Sequence, residues 1–264
     1  VVAAATDPDD RVSGRGYAIL RQAGIEVEEG VLATEAERDL AGYLTRRTKN
    51  RAHVTLKLAV SANGKIGRRD GEQVMITGEI ARRQVHALRA RSDVILIGVG
   101  TVINDDPDLT CRLPGLEDRS PIRLVLDTHL RLPLDSRLAK TAREVPVWIA
   151  TAAAQDDPCR TALAQCGVEF IASDAHDGRL ALPELLEDLA ARGLSTVMVE
   201  GGAKVAQSFL DEGLVDRLIL LTGESVIEGD AVDAPVSRQT IPPAFRPVAS
   251  TTYGADRMDE YERA

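Results

Sequence analysis

Aromatic side chains make up 3% of this 264-residue sequence, and it holds four histidines, three methionines and three cysteines. So few rings, with a formal net charge of −9, exclude a general nucleic-acid binder, which needs a basic face and stacking platforms. No apolar run approaches the roughly 18 residues of a membrane span, and no signal peptide is visible. Cys111, Cys159 and Cys166 are scattered and odd in number, which reads as reduced thiols of the cytoplasm and not as a disulfide framework. Cys159 and Cys166 lack CxxC spacing and neighbouring histidines, so no metal site is expected. His53, His86, His129 and His176 stand apart from any nucleophile motif, and P-loop, HExxH and nucleophile-elbow patterns are absent. Kinase, metalloenzyme and hydrolase readings drop on that ground.

What is present is an ordinary globular balance, 44% hydrophobic and 28% charged, over a length that suits one large domain or two modest ones. The opening "VVAAAT" reads as a buried strand from the middle of a domain, so a longer natural chain is expected. A turn through "TDPDDRVSGRG", a helix from about Tyr17 to Ala23 and a strand "IEVEEGV" follow. The charged helix "TEAERDLAGYLTRRTKN" comes next, with Thr34 as its N-cap and Arg46, Arg47 and Lys49 at its C-terminal end. These fifty residues are too few for an independent core.

From "HVTLKLAVSANGKIG" onward, strands alternate with helices. "VILIGVG" is a continuous apolar run bounded by glycine, the mark of a strand buried on both faces, and "IRLVLD", "VPVWIAT", "VEFIAS", "STVMVE" and "DRLILLTG" repeat the theme. "TGEIARRQVHALRARS" and "LPELLEDLAARG" read as helices. The alternation predicts an α/β sheet covered by helices, with ligands outside the C-terminal ends of its strands.

Four strand ends carry chemistry. Lys57 lies inside an apolar strand, where an ammonium needs a partner or must snorkel to water. Gly98 and Gly100 begin a dinucleotide-like pattern whose sixth position is Ile103, and they lead into the Thr101 hydroxyl and then Asp105 and Asp106. Thr128 ends the third run, with Arg131 and Arg137 after it as candidates for a nucleotide 2′-phosphate or as plain surface charge. In "VMVEGGAKVAQSFL", Glu200, Gly201 and Gly202 mark a strand turning into a helix, where free N–H groups and a bare backbone suit a phosphate. Arg89 and Arg112 are candidate clamps for a small anion.

"HVTLKLAVSANGKIG", "GEQVMITGEIARRQVHALRARSDVILIGVGTVINDDPDLTCR" and "VMVEGGAKVAQSFLDEGLVD" together resemble the reductase domain of bacterial riboflavin-biosynthesis deaminase/reductase proteins, over roughly residues 51 to 220. The resemblance implies a dihydrofolate-reductase-like α/β fold over 51–264. It also implies NADPH-dependent reduction of the ribose of 5-amino-6-(5-phosphoribosylamino)uracil to a ribityl chain. Residues 1–50 resemble the tail of the zinc-dependent, cytidine-deaminase-like α/β domain that precedes the reductase, without that domain's HxE and PCxxC metal motif. Carried over by position, the substrate would lie near Gln73, Arg89, Leu109, Arg112 and Glu200. NADPH would lie along Ala59, Met75, Thr101, Asp105 and Thr128, then Gly202, Ala203, Lys204, Val205, Ala206, Gln207 and Ser208. Lys57, Asp105 and Glu200 are the ionisable groups placed to serve the proton that accompanies hydride transfer. A cytoplasmic homodimer or higher homo-oligomer is implied, with no nucleic-acid or membrane partner. The sequence departs from the family pattern at Asn63, Met75, Ala203 and the segment 222–245. A pterin or other heterocycle reductase of the same fold, or a silent binding module, remain as alternatives; a need for both Arg89 and Arg112 separates a phosphorylated substrate from the rest.

Overall fold

Residues 1–50 and the residues that follow are built on different principles. The structure, a computed structural model, describes residues 1–9, 11–69, 73–176 and 178–264; residue 10 of the expected first turn, and Gly71 and Glu72, lie outside the described residues. The chain divides into two compact units, Val1–His53 with Leu186–Ser195, and Val54–Leu185 with Thr196–Ala264.

The first unit contains β1 (Val2–Ala3), α1 (Arg15–Gln22), β2 (Glu28–Glu29), α2 (Ala33–Asp39) and α3 (Ala41–Lys49). The expected buried opening strand is a two-residue parallel ladder between β1 and β2, and Val1 and Val2 are 58% and 65% exposed. So short a ladder has too little surface to bury them. The single helix expected from Thr34 is two, broken at Leu40, where ψ is 8°. Thr34 does not cap it: left-handed Leu32 turns the chain into the helix at Ala33, which puts Thr34 inside the first turn. Neither α1 nor α2 buries a residue. Polar ties stand where a core would, with Arg11 and Arg47 both on the Asp9 carboxylate at 2.6 and 2.8 Å.

The second unit holds β3 (His53–Val60) from Val54 on, β4 (Lys65–Arg68), α4 (Glu79–Ala90), β5 (Val94–Gly98), α5 (Val99–Asp105), β6 (Ile122–Leu126), α6 (Arg137–Lys140), β7 (Val147–Thr151), α7 (Pro158–Cys166), β8 (Glu169–Ala172), β9 (Ala175–His176), β10 (Arg179–Leu180), the start of α8 (Leu182–Ala191), whose residues from Leu186 on belong to the first unit, β11 (Thr196–Val199), α9 (Ala203–Asp211), β12 (Arg217–Thr222), β13 (Ala231–Asp233), β14 (Phe245–Tyr253) and β15 (Asp256–Arg263). Among the described residues, nine strands form one sheet in the order β14-β15-β12-β3-β11-β5-β6-β7-β8. The ladders β12–β3 and β11–β5–β6–β7–β8 are parallel; β15 pairs antiparallel with both β12 and β14. Every residue of β5 is buried, as its unbroken apolar run predicts.

β3 alternates instead: Leu56, Leu58 and Val60 are buried, while Lys57 and Ala59 share the other, half-buried face. Ala81, Val85, Met198, Ile219, Leu221 and Met258 form the core beneath α4. A second core joins Ile95, Ile97, Val125 and Ile149 with Leu109 and Leu130 of the connecting loops. The atypical 222–245 segment is fixed by Asn63, whose Nδ2 donates to the Ile227 carbonyl at 2.9 Å and whose Oδ1 accepts the Ile227 N–H at 3.1 Å. β13 within it pairs with β4.

Candidate functional site

Glu200 follows the last residue of β11 in the centre of the sheet, and its carboxylate is the hub of the site. Arg89, on the last turn of α4, donates from Nε to Oε1 at 2.8 Å and from Nη2 to Oε2 at 3.1 Å. Lys57, reaching from β3, places Nζ 3.4 Å from Oε2. All three side chains are nearly buried. Burial by itself would raise the Glu200 carboxyl; the charges of Lys57 and Arg89, with the hydrogen bonds both donate, outweigh it and hold the pKa at about 2. Lys57 is therefore a partnered lysine on an interior strand. Arg89 is bound inside the protein, its Nη1 donating to the Thr110 carbonyl at 3.1 Å.

That carbonyl belongs to the segment Asp108–Arg112, which holds two more of the expected residues. Leu109 is buried with φ +59°. Arg112 is half exposed and pairs with Asp108 at 3.1 Å; Arg137 reaches the same Asp108 Oδ2 at 3.2 Å. His86 Nδ1 lies 3.1 Å from the Thr110 carbonyl and 3.2 Å from the Arg112 N–H, which it serves one at a time according to tautomer. Burial, then the charges of Arg89 and Arg112, push the His86 pKa below its usual range.

Gln73 and Asp105 meet, the Gln73 amide donating to the Asp105 carbonyl at 2.8 Å. Burial pushes the Asp105 carboxyl above its usual range. Met75 is 62% exposed. Its segment is pinned at Gly78, whose N–H donates to the buried Asp256 carboxylate at 2.7 Å, and a Cβ on Gly223 would come within 1.8 Å of the Ile76 carbonyl.

On the other side of Glu200, Gly201 and Gly202 lead into α9. Gly202 is its N-cap, with no side chain to satisfy the first N–H groups. Both Gly98 and Gly201 press on Val205, and a Cβ on either would sit 2.8 Å from its side chain. A cavity of about 570 Å³ opens here, lined by Thr128, Lys204, Val205, Gln207 and Ser208 together with Gly178–Leu180. Five of the positions expected to hold the cofactor therefore converge on one space. Ala206 does not join them: its side chain is fully buried and its N–H already donates to the Gly202 carbonyl. Ala59, Met75, Thr101, Asp105, Gly202 and Ala203 lie off this cavity's lining, although Thr101 Oγ1 comes within 3.6 Å of where a Gly202 Cβ would be. Lys204, Arg179 and the hydroxyls of Thr128 and Ser208 suit a phosphate, while Asp211 and Glu212 on the same wall suit hydroxyl or amine donors.

The family described as RibD C-terminal domain matches residues 52–258. The riboflavin biosynthesis protein RibD of Bacillus amyloliquefaciens is 36% identical over 237 residues, covering 90% of this chain and 63% of its own. The chain spans 62–64% of the length of such curated relatives. A solved Thermotoga maritima diaminohydroxyphosphoribosylaminopyrimidine deaminase/5-amino-6-(5-phosphoribosylamino)uracil reductase is similar with TM-score 0.83 and 31% identity, over 100% of this chain and 71% of that one. The Saccharomyces cerevisiae riboflavin biosynthesis reductase Rib7, at 22% identity and TM-score 0.63, covers 87% of this chain and 100% of its own and shares the fold.

Proposed function

The chain belongs to the RibD C-terminal domain family, and from that premise we propose that residues 51–264 are an NADPH-dependent reductase of riboflavin biosynthesis. The reaction takes 5-amino-6-(5-phosphoribosylamino)uracil to 5-amino-6-(5-phosphoribitylamino)uracil. The observation that carries the reading is the position of Glu200, with the Arg89–Lys57 cations and the Arg112 segment on one side and the Gly-Gly start of α9 with its cavity on the other. NADPH, when bound, supplies a hydride to C1′ of the ribose. The ring oxygen that leaves C1′ must gain a proton.

Glu200, with its pKa at about 2, stays a carboxylate at neutral pH and serves as an acceptor for substrate hydroxyls, so it is not the proton source. Lys57 is the charged donor beside it. Asp105 and Gln73 border the reacting end, Arg112 meets the ribose phosphate, and the N–H groups of Ala203, Lys204 and Val205 meet cofactor phosphates. Residues 1–50 are the tail of a zinc-dependent deaminase domain, a reading supported by the match of the Thermotoga deaminase/reductase over this chain's full length. A cytoplasmic homo-oligomer is part of the same reading; β14, with β15 as its one neighbour in the described sheet, offers an edge for it.

The test is NADPH oxidation, followed by absorbance, with the deaminated phosphoribosylamino-uracil and with its dephosphorylated form. Turnover of the phosphorylated compound alone is the expected result. NADPH binding without turnover would point to another heterocycle, and neither binding nor turnover to a silent module.

A further inference from the structure

β6 is buried along its middle, and its second residue, Arg123, has no exposed surface. An arginine there is the costly choice, since replacing buried ionic groups by apolar side chains of similar volume is often neutral or stabilising. Among the described residues no carboxylate is bonded to it, and Asp108 and Glu144 act on it only through space. Nη1 donates to the Thr141 hydroxyl at 2.8 Å and the Asp108 carbonyl at 3.2 Å, and Nη2 to the carbonyls of Thr141 at 2.9 Å and Val145 at 2.5 Å. Burial lowers its pKa to about 10, which leaves it charged at neutral pH.

Three of those four bonds stay within the connection between α6 and β7. The fourth leaves it for the segment that carries Leu109 and Arg112. This segment needs external support. Asp106 and Leu109 both have positive φ, at 40° and 59°, and such a conformation costs on the order of 1 kcal/mol or more per residue without glycine. The groups that hold it come from other elements: Arg123 at the Asp108 carbonyl, Arg89 at the Thr110 carbonyl, Ser120 at the Cys111 N–H and His86 at the Arg112 N–H. Among these Arg123 alone is wholly buried and fixed on a strand. The Asp108 side chain, one residue before the strained Leu109, in turn directs the Arg112 guanidinium.

We propose that Arg123 is a positioning residue for the anion-binding end of the substrate site: from inside the sheet it fixes the Asp108 carbonyl, and thereby the Leu109 turn and the direction in which Arg112 projects. The identity of the anion as a ribose phosphate rests on the reductase reading; the mechanical role does not. It explains why a charge is kept at the centre of an apolar strand.

The experiment uses Arg123→Lys and Arg123→Met in the full chain, with three readouts: steady-state kinetics, NADPH affinity, and amide exchange of Cys111 and Arg112 against that of β5. The expected result for Arg123→Lys is a KM for the phosphorylated substrate raised about tenfold or more, the size of effect that small misplacements produce. With it go kcat and NADPH affinity within about twofold, and faster exchange at Cys111 and Arg112 while β5 stays protected. Unchanged KM and unchanged exchange would overturn the proposal. So would a parallel loss of kcat, NADPH affinity and β5 protection, which marks a merely structural arginine. If Arg123→Met does not fold, Arg123→Lys decides. If the wild-type chain shows no turnover, the reductase reading fails, and the exchange measurement still decides the positioning role.

Discussion

Two clusters near one another in the second unit each place two cations on one carboxylate, with opposite physics. In the Glu200 cluster the side chains of Lys57, Glu200 and Arg89 are 13%, 9% and 12% exposed. In the Asp108 cluster those of Arg112, Asp108 and Arg137 are 56%, 34% and 60% exposed. A buried, doubly bonded pair cannot lose one partner without stranding a charge in low dielectric. An exposed pair is worth about 0–1 kcal/mol and exchanges readily. The first cluster therefore keeps one geometry, in which its groups are held ready for substrate. The second is available chemistry, because a ligand oxygen can replace the Asp108 carboxylate at little cost.

The largest effect is expected from the buried cluster. Glu200→Ala leaves Lys57 and Arg89 unpaired, so denaturant melts should show a loss of about 3–5 kcal/mol, with reductase turnover abolished. A stable variant would place the three side chains in water and erase the contrast.

Next in size is acid sensitivity. The Glu200 carboxyl has an ordinary value of 4.5 and is held at about 2. A depressed carboxylate stabilises fully above the unfolded value, so its contribution is complete above about pH 4.5 and is lost as pH falls toward 2. The shift corresponds to roughly 3 kcal/mol. Melts between pH 6 and pH 3 should show a steeper fall for the wild type than for Glu200→Gln, and equal slopes would deny the cations their role.

The smallest effect on stability belongs to the exposed cluster. Arg112→Ala should leave the melting temperature within about 1 °C, as surface pairs do, while raising the KM for the phosphorylated substrate roughly 10–100-fold. Arg137→Ala in the same assay tells whether the second arginine on Asp108 shares that contact. A destabilised Arg112→Ala would make the two clusters alike.

What could be read from the sequence follows the same division. β5 announced itself as an unbroken apolar run, and the turn from Val199 through Gly202 into α9 carried its own glycine signal, whereas β8, read the same way, is a sheet edge with Glu169 and Ala172 exposed. The pairing of Glu200 with Lys57 and Arg89 did not, because the partners lie 143 and 111 residues away and only the sheet order unites them. The short exposed strands β1 and β2 had too little pattern to be sized. Thr34 looked like a cap because the left-handed turn at Leu32 has no residue-type signal. Arg123 was overlooked in "IRLVLD", although one arginine inside an apolar run carried the same hint that Lys57 did. Ala206 was taken with its helix neighbours, since position along a turn does not reveal which face points inward.

The place of β3 in the sheet bears on how the protein is made. It is the first of the nine sheet strands to be synthesised, yet Thr55 pairs with Arg217, some 160 residues later. At roughly 5–20 residues per second, a ribosome leaves that edge without its partner for about 8–30 s. Throughout that interval Leu56, Leu58 and Val60 form an apolar edge open to other chains. Lys57 lies on the opposite face of the same strand, and a charge on an otherwise sticky strand is a known guard against wrong pairing. The lysine that later meets Glu200 is thus already useful on the nascent chain, before any site exists.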